Sequence, residues 1–309
     1  MTMMDYISIK KIFALLFSAM AVFSSCGETV QVEPEIEVTP EPDVKYSEFK
    51  VISYNILEGM KNDKAANYDN FVAWVQKQNP DVLALQECNG FTPEFLAKLA
   101  KRWGHDYVAL KLHDGYYPVS MTSKYPIEVK KYMQDTGKGE LWHNAIHAKV
   151  KGVNVVILHL YPFSKYPNES SSEVGSGEAY RIKEMNYILD STMRKYPTEP
   201  DWLMMGDFNS FSPLDKEEYG DGRYYDLHTL VLENGYYDVI REHHNYFINS
   251  TKSSRIDFIY SSKSVLKDIT EANIIKDDFT TMQVADGGDG AQQVSDHYPV
   301  SVVFRYLNN

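Results

Sequence analysis

Asp207 and Asn209 stand two residues apart in the segment Gly206–Ser210, directly after the apolar run Trp202–Met205. If that run is a buried strand, both side chains leave its end toward one side. A carboxylate and a carboxamide so placed suit a phosphate oxygen, a metal ion or an attacking water. Alone the segment says little, because Gly, Asp, Asn and Ser are also ordinary turn residues. It gains weight because the same arrangement, an apolar strand ending in polar or ionisable residues, recurs along the chain. Lys50–Tyr54 runs into Asn55, Asp81–Leu85 into Gln86 and Glu87, and Val153–Leu158 into His159. Further on, RIDFIY (255–260) holds Asp257 within a short strand, and SDHYPVSVVF (295–304) sets Asp296 and His297 just before a closing strand.

Read in order, the segments SYN, QE, SKYPI, HL, GDFNS, RIDFIY and SDHYPV resemble the endonuclease/exonuclease/phosphatase superfamily. These are metal-dependent phosphoesterases that include DNase I, exonuclease III, neutral sphingomyelinases and inositol-polyphosphate phosphatases. The resemblance covers residues 48–309, and its specificity lies in the ordered series rather than in any one motif. It implies an α+β fold of the DNase I type: a four-layer α/β sandwich of two packed, mainly antiparallel β-sheets flanked by helices. The site is then expected at one end of the sandwich, where strand ends from both sheets meet.

Hydrolysing a phosphate ester requires neutralising charge on the phosphoryl oxygens, activating water and stabilising the leaving oxygen. Mg²⁺ takes hard oxygen ligands and keeps several waters, so one or two carboxylates hold it, with Mn²⁺ as a substitute. Glu87 is the expected ligand, with Asn55 and Asp296 beside it, and the resemblance implies the same. His297 is the expected general base, and Asp257 the partner that fixes its tautomer and stabilises the imidazolium. Asp207 and Asn209 are expected to orient the attacking water and hydrogen bond the phosphate. His159 is expected to contact a phosphoryl oxygen or to protonate the leaving group, and the acid role is open between His159 and Asp207. No serine or cysteine nucleophile is required. Cys88 reads as a small buried residue rather than a reactive thiol.

Composition narrows the substrate. A formal net charge of −12 argues against a broad basic surface that holds nucleic acid by counterion release. It leaves nuclease activity possible, because a bound cation can bridge an acidic site to a phosphate. Three substrate classes follow: nucleic acid, phospholipid head groups such as sphingomyelin, and phosphorylated sugars or inositols. A noncatalytic binding module is the competing reading, and it requires loss of one of the residues above; all are present. The catalytic unit is expected to be a monomer.

The first 25 residues read as an export signal. Lys10 and Lys11 precede an apolar run, Ile12–Phe23, too short to span a bilayer, and Ser24, Ser25 and Cys26 follow. This looks like a bacterial lipoprotein processing site with Cys26 as the lipidated first residue. Residues 26–47, rich in Glu, Pro and Val, read as an acidic tether that stands the catalytic domain (48–309) off a membrane. The expected location is the bacterial cell envelope, anchored at the outer membrane.

Helices are expected over Tyr68–Gln78, over Thr92–Trp103 with a Thr cap and Pro93 at its first position, and over Glu178–Lys195. Leu141–Val150 and Val153–His159 read as a hairpin about Lys151 and Gly152, which would set His143 and His147 on one strand face. Residues 161–178 read as a surface loop beside the site, of the kind that carries specificity. Arg181 reads as a helix-surface ion pair or an anchor behind the site, His243 and His244 as loop residues, and the many tyrosines as a question about substrate.

Overall fold

The apolar runs fold as strands because both of their faces are covered. In β1 (Tyr46–Asn55), Phe49 and Val51 face one way, Ile52 and Tyr54 the other, and all four are buried. A strand covered on both sides needs no polar alternation, so its sequence reads as a continuous apolar stretch.

The computed structural model describes residues 46–112, 117–167, 176–285 and 291–307. The expected export signal, Cys26, nearly all of the expected tether, and residues 168–175 of the expected surface loop lie outside them. The strands that follow β1 are β2 (Val82–Gln86), β3 (Tyr107–Leu110), β4 (Ser120–Ser123), β5 (Glu128–Met133), β6 (Ala145–Val150) and β7 (Val153–His159). After them come β8 (Trp202–Asp207), β9 (Tyr236–Asp238), β10 (Asp257–Ser262), β11 (Ile269–Ile274), β12 (Gln283–Ala285), β13 (Ala291–Gln293) and β14 (Val300–Leu307).

Two six-stranded sheets result, ordered β11-β14-β1-β2-β4-β3 and β5-β6-β7-β8-β10-β9, with β12 and β13 as a separate ribbon. Only β1–β2 and β7–β8 run parallel among the described pairings; the rest are antiparallel. The two sheets repeat one connection pattern, strand–helix–parallel strand–helix–two antiparallel strands, as β1 to β4 in one and β7 to β10 in the other. No sequence repeat announces it.

Three apolar clusters define the four layers. The central one lies between the sheets and takes Val51, Val82 and Val302 from the first and Ile157, Met205 and Ile259 from the second. The outer face of the first sheet packs on helices Asp69–Gln78 and Pro93–Arg102 through Phe71, Trp74 and Leu96. The outer face of the second packs on helices Ser176–Ser191 and Asp226–Glu233 through Met185, Ile188 and Leu227.

Local signals set most boundaries. Thr92 Oγ1 accepts the Phe95 N–H at 3.1 Å, and Pro93 occupies the first helical position. The third helix is Ser176–Ser191, ending four residues before the expected Lys195. There the Thr192 hydroxyl donates to the Ile188 carbonyl at 2.7 Å, a local bond that competes with the helical ladder. The hairpin also starts late, at Ala145 rather than Leu141. The Trp142 N–H is taken by Glu184, and the Asn144 side chain serves the Val119 N–H, so residues 141–144 pair outside the sheet.

Candidate active site

Strand parity builds the site. Asn55 is in phase with Val51, His159 with Val155 and Ile157, Asp207 with Leu203 and Met205, and Asp257 with Ile259. Those apolar partners all belong to the cluster between the sheets. The inter-sheet core therefore turns polar at one end simply because each strand's last inward position is ionisable or an amide. Cross-strand register does the rest: His159 pairs with Asp207, and Asp207 with Asp257, which sets the three in one row.

Gly206 permits that row. Its φ is +145°, and a Cβ there would sit 1.9 Å from the Leu158 carbonyl oxygen. Only glycine lets β7 and β8 approach this closely one residue before the site.

Asn55 joins the two sheets. Fully buried, it donates from Nδ2 to Glu87 Oε1 at 3.0 Å and to Asp207 Oδ2 at 3.1 Å, while its Oδ1 accepts the Leu57 N–H. The other carboxylate oxygen of Glu87 takes the Glu58 N–H at 3.0 Å. Glu87 (φ 60°), Leu57, Glu58 and Asn209 (φ 48°) all hold left-handed backbone, which costs non-glycine residues roughly 1–3 kcal/mol each and persists where the surroundings over-determine it. Asn209 donates its N–H to Asp207 Oδ1 at 2.8 Å and its amide to the Leu160 carbonyl at 3.0 Å.

His297 lies just before β14, and its Nδ1–H donates to Asp257 Oδ2 at 2.7 Å. Its Nε2 faces Asp207 Oδ2 at 3.8 Å and Asp296 Oδ1 at 4.0 Å. Asp296 itself is solvent-exposed. His159 Nε2 stands 3.6 Å from the same Asp207 oxygen, while its Nδ1 is buried with no hydrogen-bond partner among the described residues. Asn55, Glu87, His159, Asp207, Asp257 and His297 thus meet at one place, with Asn209 and Asp296 at its edge.

Several members of the site were given no role by the sequence. Ser250 donates its hydroxyl to Asp257 Oδ2 at 2.7 Å and accepts the N–H groups of Ile256 and Asp257, both at 3.0 Å. Ser295 donates to the Asn55 carbonyl at 2.7 Å, and Ser210 to buried Glu178 at 2.8 Å. His143, expected on a strand beside His147, instead precedes β6 and stacks on His159 with ring centroids 4.3 Å apart. His147 lies elsewhere, bonded to Asn154 at 3.0 Å. Arg181 is a buried anchor, not a helix-surface ion pair, and His243 ends the helix Val239–His243. Cys88 is buried against Ser120, and burial pushes its thiol up to about 12.

A serine bridging three groups has a testable weight. Ser250→Ala leaves two N–H groups unmet and Asp257 Oδ2 with the His297 Nδ1–H as its remaining side-chain donor, at about 1–3 kcal/mol for the unsatisfied groups. Chemical denaturation should show that loss, together with a fall in turnover; unchanged values of both would contradict the bridge.

Electrostatics separates the two histidines. Burial alone would lower His297, but the Asp257 and Asp207 carboxylates raise it to about 10. Burial holds His159 well below the usual imidazole value, and nearby His143 and His297 lower it further. Burial and the neighbouring Asp257 push Asp207 up to about 7. Burial also raises Glu87, and the charges acting on it come from His297 and Asp296 rather than from Lys or Arg.

That excess of carboxylate oxygen without Lys or Arg fits a divalent cation. Asp207, Asp257 and His297 offer ligand atoms within 4.8 Å of one another, although the Asp257–His297 hydrogen bond occupies two of those atoms. Glu87, Asn55 and Asp296 supply further hard oxygens, although the Asn55 amide donates to Glu87 Oε1. The buried amide of Asn55 bridges the Glu87 and Asp207 carboxylates.

Two mixed six-stranded sheets flanked by helices, with this row of carboxylates and imidazoles at one end, define a DNase I-like phosphoester hydrolase. The chain belongs to the Endonuclease/Exonuclease/phosphatase family, which it matches over residues 52–297. Its fold is similar to an AP endonuclease from Archaeoglobus fulgidus, at 19% identity over 83% of this chain and 99% of that chain, with a TM-score of 0.61. It is also similar to a 3'-5' exonuclease (NExo) from Neisseria meningitidis, at 18% identity over 84% of this chain and 100% of that chain, TM-score 0.63. A third neighbour is an endonuclease/exonuclease/phosphatase family protein from Bacteroides thetaiotaomicron, at 16% identity over 85% and 97% of the two chains, TM-score 0.58. No curated protein sequence matches.

Proposed function

We propose that the chain hydrolyses a phosphodiester with water activated by His297, at a site that takes Mg²⁺ on Glu87, Asn55 and Asp296. The observation that carries this reading is the 2.7 Å bond from His297 Nδ1 to Asp257 in a site rich in carboxylates and free of Lys and Arg among their main charge partners. When bound, the cation neutralises the carboxylates and polarises a phosphoryl oxygen. Asp257 holds the His297 ring so that Nε2 faces the site; the Asp257 and Asp207 carboxylates keep that ring protonated up to about 10 while their charge is unopposed, so Nε2 would take the proton of water once a bound cation offsets them. Asp207 and Asn209 orient that water. His159, kept neutral by burial, faces the phosphoryl group from the opposite side of Asp207. Two structural neighbours are named for nuclease activities, which supports a diester.

The same reading places the protein in a bacterial cell envelope, lipid-anchored at the outer membrane through Cys26, with 26–47 as its tether and the catalytic unit monomeric. Cys26→Ser should release the protein from membranes; retention would contradict the anchor. The activity is tested on a panel of DNA, RNA, sphingomyelin and inositol phosphates with Mg²⁺ or Mn²⁺. Turnover of a diester that chelator abolishes is the expected result, and no turnover of any substrate with either metal overturns it.

Metal and protons compete at this site, with a defined sign. His297, at about 10, and Asp207, at about 7, stand above their ordinary values of 6.5 and 3.8. Each contributes stability that is present below the ordinary value and lost as pH rises through the folded one. Metal-free protein is therefore expected to lose melting temperature as pH rises above neutrality. Mg²⁺ should raise it more in alkaline than in near-neutral buffer, because the proton on Asp207 and the positive charge on His297, both beside its proposed ligands, are then lost. Scanning fluorimetry with and without chelator reads both, and a Mg²⁺ shift independent of pH would contradict this assignment.

A further inference from the structure

The two histidines of the site are held in different ways. His297 is fixed through its second nitrogen, by the 2.7 Å bond from Nδ1–H to Asp257. His159 has no such bond, since its Nδ1 is buried with no hydrogen-bond partner among the described residues. Its direction is therefore not set from that nitrogen, the usual way of orienting an imidazole. Ring faces set it instead. His143 lies over the His159 ring with centroids 4.3 Å apart and planes 19° from parallel, and Tyr117 meets the same ring edge-on at 6.4 Å.

A stacked ring orients its neighbour only if its own backbone is fixed, and His143 stands outside the hairpin. It is tied on both sides. The Trp142 N–H before it donates to one oxygen of Glu184 at 2.8 Å, and Asn144 Oδ1 after it accepts the Val119 N–H at 2.9 Å. The other oxygen of Glu184 accepts the Tyr161 N–H at 2.9 Å, two residues beyond His159. One fully buried side chain thus joins the segment that carries one imidazole to the segment that carries the other. Only a carboxylate offers an acceptor at each end; a glutamine of the same shape would turn its NH₂ toward one of the two backbone N–H groups. The same helix face continues the frame. Arg181 donates to the Tyr161 and Phe163 carbonyls at 2.9 and 3.1 Å and to Glu178 at 3.0 Å, and Glu178 accepts the Ser210 hydroxyl next to Asn209.

We propose that Glu184 and His143 are positioning residues for His159: Glu184 fixes the spacing of the two segments, and the His143 ring face sets the direction in which His159 presents Nε2 to the phosphoryl group. The part played by His159 rests on the phosphodiesterase reading above. A tie that served stability alone could be made by apolar packing, with no carboxylate to desolvate. This one falls on the two segments that bring His143 and His159 face to face.

The test uses the full chain with Mg²⁺ and the diester of the panel that it hydrolyses fastest. Glu184→Gln and His143→Ala are each expected to lower kcat by about 100-fold, the scale for a reacting group displaced by about an ångström, with KM little changed. His143→Phe, which keeps a ring face at that position, should recover most of the His143→Ala loss. In a His159→Ala background Glu184→Gln should cost nothing further, whereas a residue that only stabilises the fold would cost the same factor in both backgrounds. A second readout needs no turnover. The ring protons of His159, identified by their disappearance in His159→Ala, lie over the His143 face and are expected at higher field than those of an unstacked imidazole in the proton NMR spectrum. Glu184→Gln and His143→Ala should both move them downfield, and His143→Phe should not. His159 signals that stay in place in both variants, or a Glu184→Gln loss of equal size with and without His159, would overturn the proposal. If Glu184→Gln fails to fold, the contrast between His143→Ala and His143→Phe decides it alone. A parent that hydrolyses no diester would sink the earlier reading, while the ring-proton shifts still decide whether the stack holds His159.

Discussion

Asp257→Asn is expected to lower kcat by about 10³–10⁴-fold, because it alters what the His297 ring offers rather than where it sits. In the native protein Nδ1–H donates to Asp257 Oδ2 at 2.7 Å, which leaves Nε2 as the atom facing Asp207 and the site. An amide at 257 can present its NH₂ to Nδ1 and so stabilise the opposite tautomer, with Nε2 protonated and unable to accept. It also removes the negative charge that supports the imidazolium as the proton arrives. His297→Ala is expected to fall to the same level, and the double variant no lower, since the two residues act as one unit. Steady-state kinetics on the best diester of the panel gives all three values. A single variant within tenfold of the parent, or a double variant in which the two losses multiply, would mean that the pair does not act as the base.

The parts of this site that could be read from the chain are those that strand geometry alone dictates. An apolar run with both faces buried ends in a residue whose direction is fixed by alternation, so Asn55, His159, Asp207 and Asp257 were legible as soon as the runs were recognised as strands. One helix start was legible for a related reason, since Thr92 and Pro93 act through their own backbone, whereas the third helix starts at Ser176 rather than at the expected Glu178. What could not be read depends on distance in sequence. Ser250 reaches Asp257 across a turn whose path no periodicity describes, and His143 finds His159 only because residues 141–144 leave the hairpin to bond with Glu184 and Val119. Glu178, Arg181 and Glu184 sit three apart on one helix, a spacing that on a solvated face would be unremarkable. Their burial turns them into the frame for the Ser210 turn and for the segments at Trp142 and Tyr161, and burial of a polar group is a property of the partner surface, not of the helix that carries it. The tyrosines posed the same difficulty, since their number alone does not distinguish buried packing, as at Tyr161, from exposure, as at Tyr224.

The largest expected effect on stability comes from Arg255, two residues before Asp257. It is fully buried and donates from Nε to Asp215 Oδ2 at 2.7 Å and from Nη1 to Asp238 Oδ1 at 3.0 Å, with its guanidinium 4.4 Å from the centre of the Phe258 ring. Asp238 in turn caps the helix Val239–His243 through the Ile240 N–H. Arg255→Met keeps apolar volume but leaves Asp238 buried without its guanidinium and Asp215 with only Arg241 at 3.6 Å, a loss of about 3–5 kcal/mol for breaking a buried pair from one side. For a domain of this size that corresponds to a fall in melting temperature of roughly 6–20 °C. The deficit should depend on pH. Burial already raises Asp215 and Arg255 opposes that rise, so removing the arginine raises it further. A carboxyl group whose folded value lies above its ordinary one loses stability as pH rises, and the variant should therefore fall further behind the parent in alkaline than in acidic buffer. Adding Asp215→Asn and Asp238→Asn to Arg255→Met should recover part of the loss and flatten its pH dependence, because no ion is then left to desolvate. A deficit that is the same at all pH values, or one that the added amides deepen, would show that Arg255 stabilises the entry to β10 by packing alone.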